Sequence, residues 1–377
     1  VNDRGKRSHR SHWSFVKAIA PIVLLLTACG TGTGTPSNTA PATPPAPTTT
    51  PSGAATSSLA PSVAPTPAPT ASPLTGHLPI GRVVVARLDR SPEGDFLGAF
   101  VLGVDGVTSP LELPVANVGF TGIWSPDGKR LLINAFDGSR GIVGTFDPAA
   151  AAYAEIQPKG MVGEIECSDW TPDAKRVICR RGGQNPAADG IYTVDIASGA
   201  AKRLTTSPYH HVVGTAGECG GGEGRAVYSA DGSRFAFEQQ KCGAGANPSG
   251  DEEGAIAVAS ADGSHLKVIV PFGGVRTHPG GEIAWSPTDD QIAFGTQDGK
   301  LSIIRADGTG LRTIDLPIPG FVYGPAWSPD GKWLLVSLIA QATGQHDLFV
   351  VAPDGSSMVQ LTDTAAVEAF TDWGVKE

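Results

Sequence analysis

The chain has 377 residues, enough for one large domain or two ordinary ones, and a formal net charge of −9. That charge is uneven: the first 28 residues hold five Lys or Arg against one Asp, which leaves 23 basic and 36 acidic residues beyond them. An acidic body lacks the basic face that phosphate neutralisation needs, so nucleic acid is excluded as a partner.

In chain order, Arg4, Lys6, Arg7, Arg10 and Lys17 precede the apolar run AIAPIVLLLTA. Eleven apolar residues are too few to span a membrane, which takes roughly 20, but they suit the core of a signal peptide. The run ends in LTAC before Gly30, which resembles a bacterial lipobox. That resemblance implies cleavage after residue 28 and a diacylglycerol thioether on Cys29, the alternative being an ordinary signal peptide with a coincidental cysteine. Two or three acyl chains give stable anchoring where one binds reversibly. The next stretch, to residue 78, is almost entirely Pro, Thr, Ser, Ala and Gly. It cannot bury enough apolar surface to offset its ordering entropy, so it reads as a disordered tether. Fully extended it reaches roughly 150 Å, and its Thr and Ser density permits O-glycosylation.

From residue 79 to 377 the pattern repeats. WSPDGKRLLI, WTPDAKRVIC, YSADGSRFAF, WSPTDDQIAF and WSPDGKWLLV each read as strand, tight turn, strand. Their aromatic anchors, with Trp373, fall at 124, 170, 228, 285, 327 and 373. Spacings of 42 to 58 residues mark an array of small β units. A second hairpin built around Asp-Gly or Ser-Gly follows each anchor hairpin, so a unit holds four strands, one propeller blade. In SPDG, Pro presets φ, Asp accepts nearby amides and Gly takes the φ > 0 position. The anchors are expected to wedge between sheets. Residues from 81 to 113 supply the outer strands of a blade without an anchor hairpin, and AFTDWG supplies an inner strand with nothing after it. Joined, they make a sixth blade closed by the C-terminal strand. The fold expectation is all-β: a six-bladed propeller of four-stranded blades.

These paired hairpins resemble the repeats of TolB-type β-propellers over about 300 residues. The departures are Ala174 for the turn glycine, Ala230 for the proline and SPTDD for SPDGK. The resemblance implies protein–protein contact. The α/β domain that precedes the propeller in TolB is replaced here by the Pro-Thr tether, which puts a Tol-Pal role in doubt.

Four cysteines lie symmetrically about two hairpin turns, predicting the disulfides Cys167–Cys179 and Cys219–Cys242. Their spacings match no zinc-ribbon pattern, zinc being the main rival. Two long loops, 206–225 and 238–254, flank the Tyr228 hairpin. Long ordered loops are more often functional than short ones. Counting back from the anchors places Glu166, Arg225 and Glu282 near the channel mouth, with His210, His211, Arg276 and His278 around them. Either Arg225 pairs with Glu166 or Glu282 as buried structural charge, or the group forms an asymmetric binding rim.

No nucleophile elbow, HExxH, P-loop or dinucleotide fingerprint occurs. No catalytic, cofactor or metal residue is assigned. The functional expectation is a lipid-anchored extracytoplasmic propeller on the bacterial cell membrane, acting as a non-catalytic binding or scaffold module for a protein or cell-envelope component. The alternatives are an envelope hydrolase or lyase at the channel mouth, or a solute or glycan receptor.

Overall fold

The computed structural model describes residues 78–375 apart from 92–93, 105–107, 112–119, 137–140, 183–185, 214–217, 244–251, 274–282 and 297. The expected signal peptide, Cys29 and tether lie outside the described residues. Among those described, there are six four-stranded antiparallel sheets, five of which pair their strands in sequence order. The first blade is Phe120–Trp124, Leu131–Phe136, Gly141–Asp147 and Ala152–Ile156. The second is Glu164–Trp170, Arg176–Gly182, Gly190–Asp195 and Ala201–Arg203, and the third Gly222–Tyr228, Arg234–Lys241, Glu253–Ser260 and Lys267–Val270. The fourth runs Ile283–Trp285, Gln291–Gly295, Leu301–Arg305 and Arg312–Ile314, and the fifth Gly320–Trp327, Leu334–Ala340, His346–Val351 and Met358–Gln360.

The sixth blade confirms the closure read from the sequence. Its inner strand is the C-terminal Val367–Gly374, which pairs antiparallel with Arg82–Ser91, followed by Gly94–Gly103 and Thr108–Pro110. Closing the ring between the two ends of the propeller removes the sheet edge that an open array would expose.

The core lies between blades. Most inner and middle strands bury apolar side chains on both faces because each sheet is sandwiched by neighbours. Val227, Ile256 and Val258 of the third blade pack against Trp285, Ile292 and Ile304 of the fourth. Phe235, Phe237 and Phe294 are essentially inaccessible to solvent. The anchors are the wedges expected: Trp170 Nε1 donates to the Ile123 carbonyl of the preceding blade, and Trp327 Nε1 to that of Ala284. Three anchors carry a cation over the ring, Arg82 on Trp124, Arg130 on Trp170 and Arg234 on Trp285.

The anchor turns repeat one set of bonds. Ser125 Oγ donates to Asp127 and accepts from the Arg130 amide, while the Gly128 amide donates to the Ser125 carbonyl. Thr171 with Asp173, Ser229 with Asp231, and Ser328 with Asp330 do the same. These bonds hold Asp127, Asp173 and Asp231 below the ordinary aspartate range, Asp231 down to about 2. Ala174 occupies the glycine position at φ 52°, a left-handed conformation that a side chain disfavours.

Candidate functional site: the two ends of the channel

Each inner strand runs from a face of long connections to a face of tight hairpins, so the channel has two unlike mouths. At the loop-rich mouth the third blade is reinforced. Both predicted disulfides are formed, Cys167–Cys179 between paired strands of the second blade and Cys219–Cys242 between the loops flanking the third. Cys219 belongs to a two-stranded ribbon, Val212–Val213 against Glu218–Cys219, inside the loop that enters the third blade. Val213 at its tip is 71% exposed. The Gly221 amide donates to Cys242 Sγ at 3.1 Å, and Tyr209 meets Phe272 edge-on at 5.1 Å, so the loop is held on two sides. His210 is exposed and His211 half-buried on this loop. Arg276, His278 and Glu282 lie outside the described residues.

Glu166 is half-buried on the second blade's inner strand, and its partner is Arg180, whose Nε donates at 2.8 Å. The two are direct cross-strand neighbours, one step from the Cys167/Cys179 pair. Spacing from the anchors does not single out Arg180; the register implied by the predicted disulfide does. Burial pushes the Glu166 carboxyl up, but the charge and hydrogen bond of Arg180, with the charge of Arg225, outweigh it and hold Glu166 below its ordinary value. Glu166 in turn raises Arg180, to which Glu164 and Glu238 add. Glu238, 4% exposed on the third blade's second strand, is a member of this cluster that the sequence reading missed. Its signal was present: Glu238 directly follows the apolar run Phe235, Ala236, Phe237 in RFAFEQQ, where a charge needs a reason.

Between the second and third blades, at the base of the same loop, lies Glu223, 6% exposed. Thr205 Oγ1 donates to its Oε2 and accepts from the Ile191 amide, while Oε1 has no hydrogen-bond partner. Burial pushes Glu223 up to about 7 against the pull of the Thr205 bond and Arg203. Arg181 and Asp189 form a buried ion pair beside it.

At the hairpin mouth the five anchor turns and the end of the C-terminal strand line a cavity of about 360 Å³. The residue before each anchor is Ile123, Asp169, Val227, Ala284, Ala326 or Asp372. Asp169 accepts the amides of Trp170 and Tyr228 at 2.7 Å each, and Asp372 accepts that of Trp124 at 2.8 Å. Each carboxylate thus ties its own blade to the next in the ring. Backbone irregularities at Cys167/Asp169 and Glu223/Ala226 mark where Asp169 and Arg225 reach the channel. Burial pushes Asp169 up to about 7; the two amides and Arg225 oppose the rise, and the charge of Asp372 adds to it. Arg225 lines this cavity and acts electrostatically on Glu166 as well, so it connects the two mouths. Among the described residues no group of three or more His, Cys, Asp or Glu is placed to hold a metal ion.

No protein-family model matches the chain. It is 32% identical over 79 residues to the Tol-Pal system protein TolB of Syntrophus aciditrophicus, a match covering 19% of this chain and 17% of that protein. Over 91 residues it is 33% identical to an uncharacterised protein of Agrobacterium fabrum, covering 24% of this chain and 29% of the relative. Both curated relatives are therefore matched over less than a third of their own length. The crystal structure of TolB from Acinetobacter baumannii superposes with a TM-score of 0.52 at 17% identity, over 78% of this chain and 67% of that one. In architecture, ring closure and repeat, the chain is a TolB-like six-bladed β-propeller.

Proposed function

We propose that this chain is a lipid-anchored extracytoplasmic propeller on the bacterial cell membrane that serves as a non-catalytic binding or scaffold module for a protein or cell-envelope component. The observation that carries the reading is the asymmetry of the loop-rich mouth. One blade has a disulfide fastening its two long loops, an exposed apolar ribbon tip, and the Glu166, Arg180, Arg225 and Glu238 cluster beside them. A rigid apolar anchor within a polar rim is the composition of a binding surface. Two disulfides suit an oxidising compartment outside the cytoplasm. The name of the Syntrophus relative places that protein in an envelope system, which agrees in compartment.

The rim is proposed as Glu166, Arg225, Glu282, His210, His211, Arg276 and His278. Crosslinking in the native envelope, followed by affinity capture and mass spectrometry, tests it against a Glu166→Ala/Arg225→Ala/Glu282→Ala variant. One dominant protein or envelope component, at least tenfold depleted in the variant, is the expected result. Capture that is equal in both samples places the interaction elsewhere, and turnover of an envelope polymer abolished by Glu166→Ala replaces the binding reading with an enzymatic one.

A further inference from the structure

Two of the six seams between blades hold a buried acid. The residue five positions before each anchor is Gly119, Ile165, Glu223, Gly280, Val322 or Glu368. The two glutamates are 6% and 3% exposed, and each is bonded to the segment that leaves the preceding blade. That segment has the same make in both places. Leu204-Thr205 and Leu361-Thr362 directly follow the outer strands of the second and fifth blades. Thr205 Oγ1 accepts the Ile191 amide at 2.8 Å and donates to Glu223. Thr362 Oγ1 accepts the Leu348 amide at 2.9 Å, and the hydroxyls of Thr362 and Thr364 bond to Glu368. In each glutamate one oxygen, Oε1 of Glu223 and Oε2 of Glu368, is buried with no hydrogen-bond partner. Out of water and half unpaired, the charged form of such a group is far more costly than the neutral acid.

The seams are opposite one another. One lies between the second and third blades and one between the fifth and sixth, so they divide the ring into two halves of three blades. A ring loosened at a single seam stays braced by the others, whereas two opposite seams make a hinge. We infer that the propeller is a proton-gated hinge, its two halves clamped while Glu223 and Glu368 are neutral and released when they ionise. Burial is the main influence on both carboxyls, pushing Glu223 up to about 7 and Glu368 above its ordinary value. The charged groups around them do not reverse it. Facing Glu223, Arg203 opposes the rise and Asp189 adds to it, while Arg181 is engaged with Asp189. Facing Glu368, Arg87 on the neighbouring strand opposes the rise from 3.9 Å and Asp347 of the fifth blade adds to it. Asp347 is itself pushed up by burial and by Asp363. Opening a seam returns its glutamate to water, so ionisation and opening promote each other as pH rises. The first seam lies at the base of the loop that carries His210 and His211, so its release loosens the loop-rich face.

Hydrogen exchange of the full chain, corrected for the intrinsic pH dependence of amide exchange, reads the two seams through the amides of Ile191 and Leu348. The control is the Val322 amide, which crosses the seam between the fourth and fifth blades to the Gly299 carbonyl at 3.1 Å. A closed value of about 7 and an open value near 4.3 make opening at Glu223 roughly 80-fold more favourable at pH 8 than at pH 5. Protection of Ile191 and Leu348 is expected to fall at least tenfold over that range, and that of Val322 less than twofold. Glu223→Gln and Glu368→Gln keep the shape and remove the proton. Because the halves move together, each variant reduces the fall at both amides at least threefold, including the one on the far side of the ring. Should either variant fail to fold, the other, in the opposite seam, decides alone. Protection at Ile191 or Leu348 that does not change with pH overturns the inference, as does an equal fall at Val322. A variant that alters only its own seam overturns it as well, by making the seams two independent local openings.

Discussion

The two mouths of one channel are built by opposite rules. At the hairpin mouth, four copies of a short turn motif make the same hydroxyl–carboxylate–amide bonds, and the fifth, at Ser286, keeps the hydroxyl–amide bond without the carboxylate. At the loop-rich mouth nothing repeats: one blade has a long disulfide-tied loop with its own ribbon, and one has a cross-strand ion pair inside the channel. Repetition marks what every blade needs for folding. Irregularity marks what only the whole molecule needs, and Glu166, His210 and His211 of the proposed rim are at that end. The two charged exceptions at the hairpin mouth, Asp169 and Asp372, follow the same rule on a smaller scale.

The largest expected effect breaks the repeated end. Trp170→Ala removes a 2%-exposed wedge and the indole bond to the Ile123 carbonyl. Large-to-small changes of this kind cost about 3–5 kcal/mol, read as a lower urea midpoint. If the comparison holds, variant protein that remains folded still captures the envelope partner, because the lesion is at the other mouth. A loss below 1 kcal/mol would show that the anchors are not wedges.

The next sharpens the loop-rich end. Glu223 has a folded pKa of about 7, above its unfolded value near 4.3. Between those values the folded chain holds a proton that the unfolded chain has lost, so stability falls as pH rises through that window. Asp169 adds to the same slope. The turn aspartates, with depressed values, act oppositely: their contribution is present above about pH 4 and is lost as pH falls through their folded values. Stability is therefore highest near pH 4 to 5 in this account. Glu223→Gln removes on the order of 2 kcal/mol from the decline between pH 5 and 8, measured by denaturant titration across pH. An unchanged slope in that variant contradicts the burial of an ionisable Glu223.

The smallest effect corrects a defect in the repeat. Ala174→Gly relieves a left-handed alanine of the kind that costs roughly 1–2 kcal/mol, offset by the greater freedom of glycine in the unfolded chain. A net gain of about 0.5–1 kcal/mol is expected, seen as a raised Tm. A lowered Tm would mean that Ala174 is held by contacts that glycine lacks.

How much was legible follows from the range of the forces involved. The anchor turns and blade boundaries could be read because their bonds join residues within about six positions, and the ring closure because an unpaired inner strand at one end matched missing strands at the other. The disulfides could be read from their symmetry about the turns. Arg180 and Glu238 were missed because counting from anchors places one strand at a time, while their interactions depend on the register between strands and on a neighbouring blade. Asp169 and Asp372 were in plain view as SDW and TDW, yet their difference from Ile123, Val227, Ala284 and Ala326 acquires meaning only when six strands face one axis. The Glu223 site needs three segments, around Asp189, Thr205 and Glu223, that only the packing of two blades brings together.

Site-specific photo-crosslinking in the native envelope tests the central claim most directly. One chain carries the photoreactive residue at His210 on the loop-rich face, and another carries it at Lys332 on an anchor hairpin of the opposite face. The account predicts one discrete adduct from position 210 and none from position 332. An adduct from position 332 alone would contradict it and assign the partner to the repeated end of the propeller.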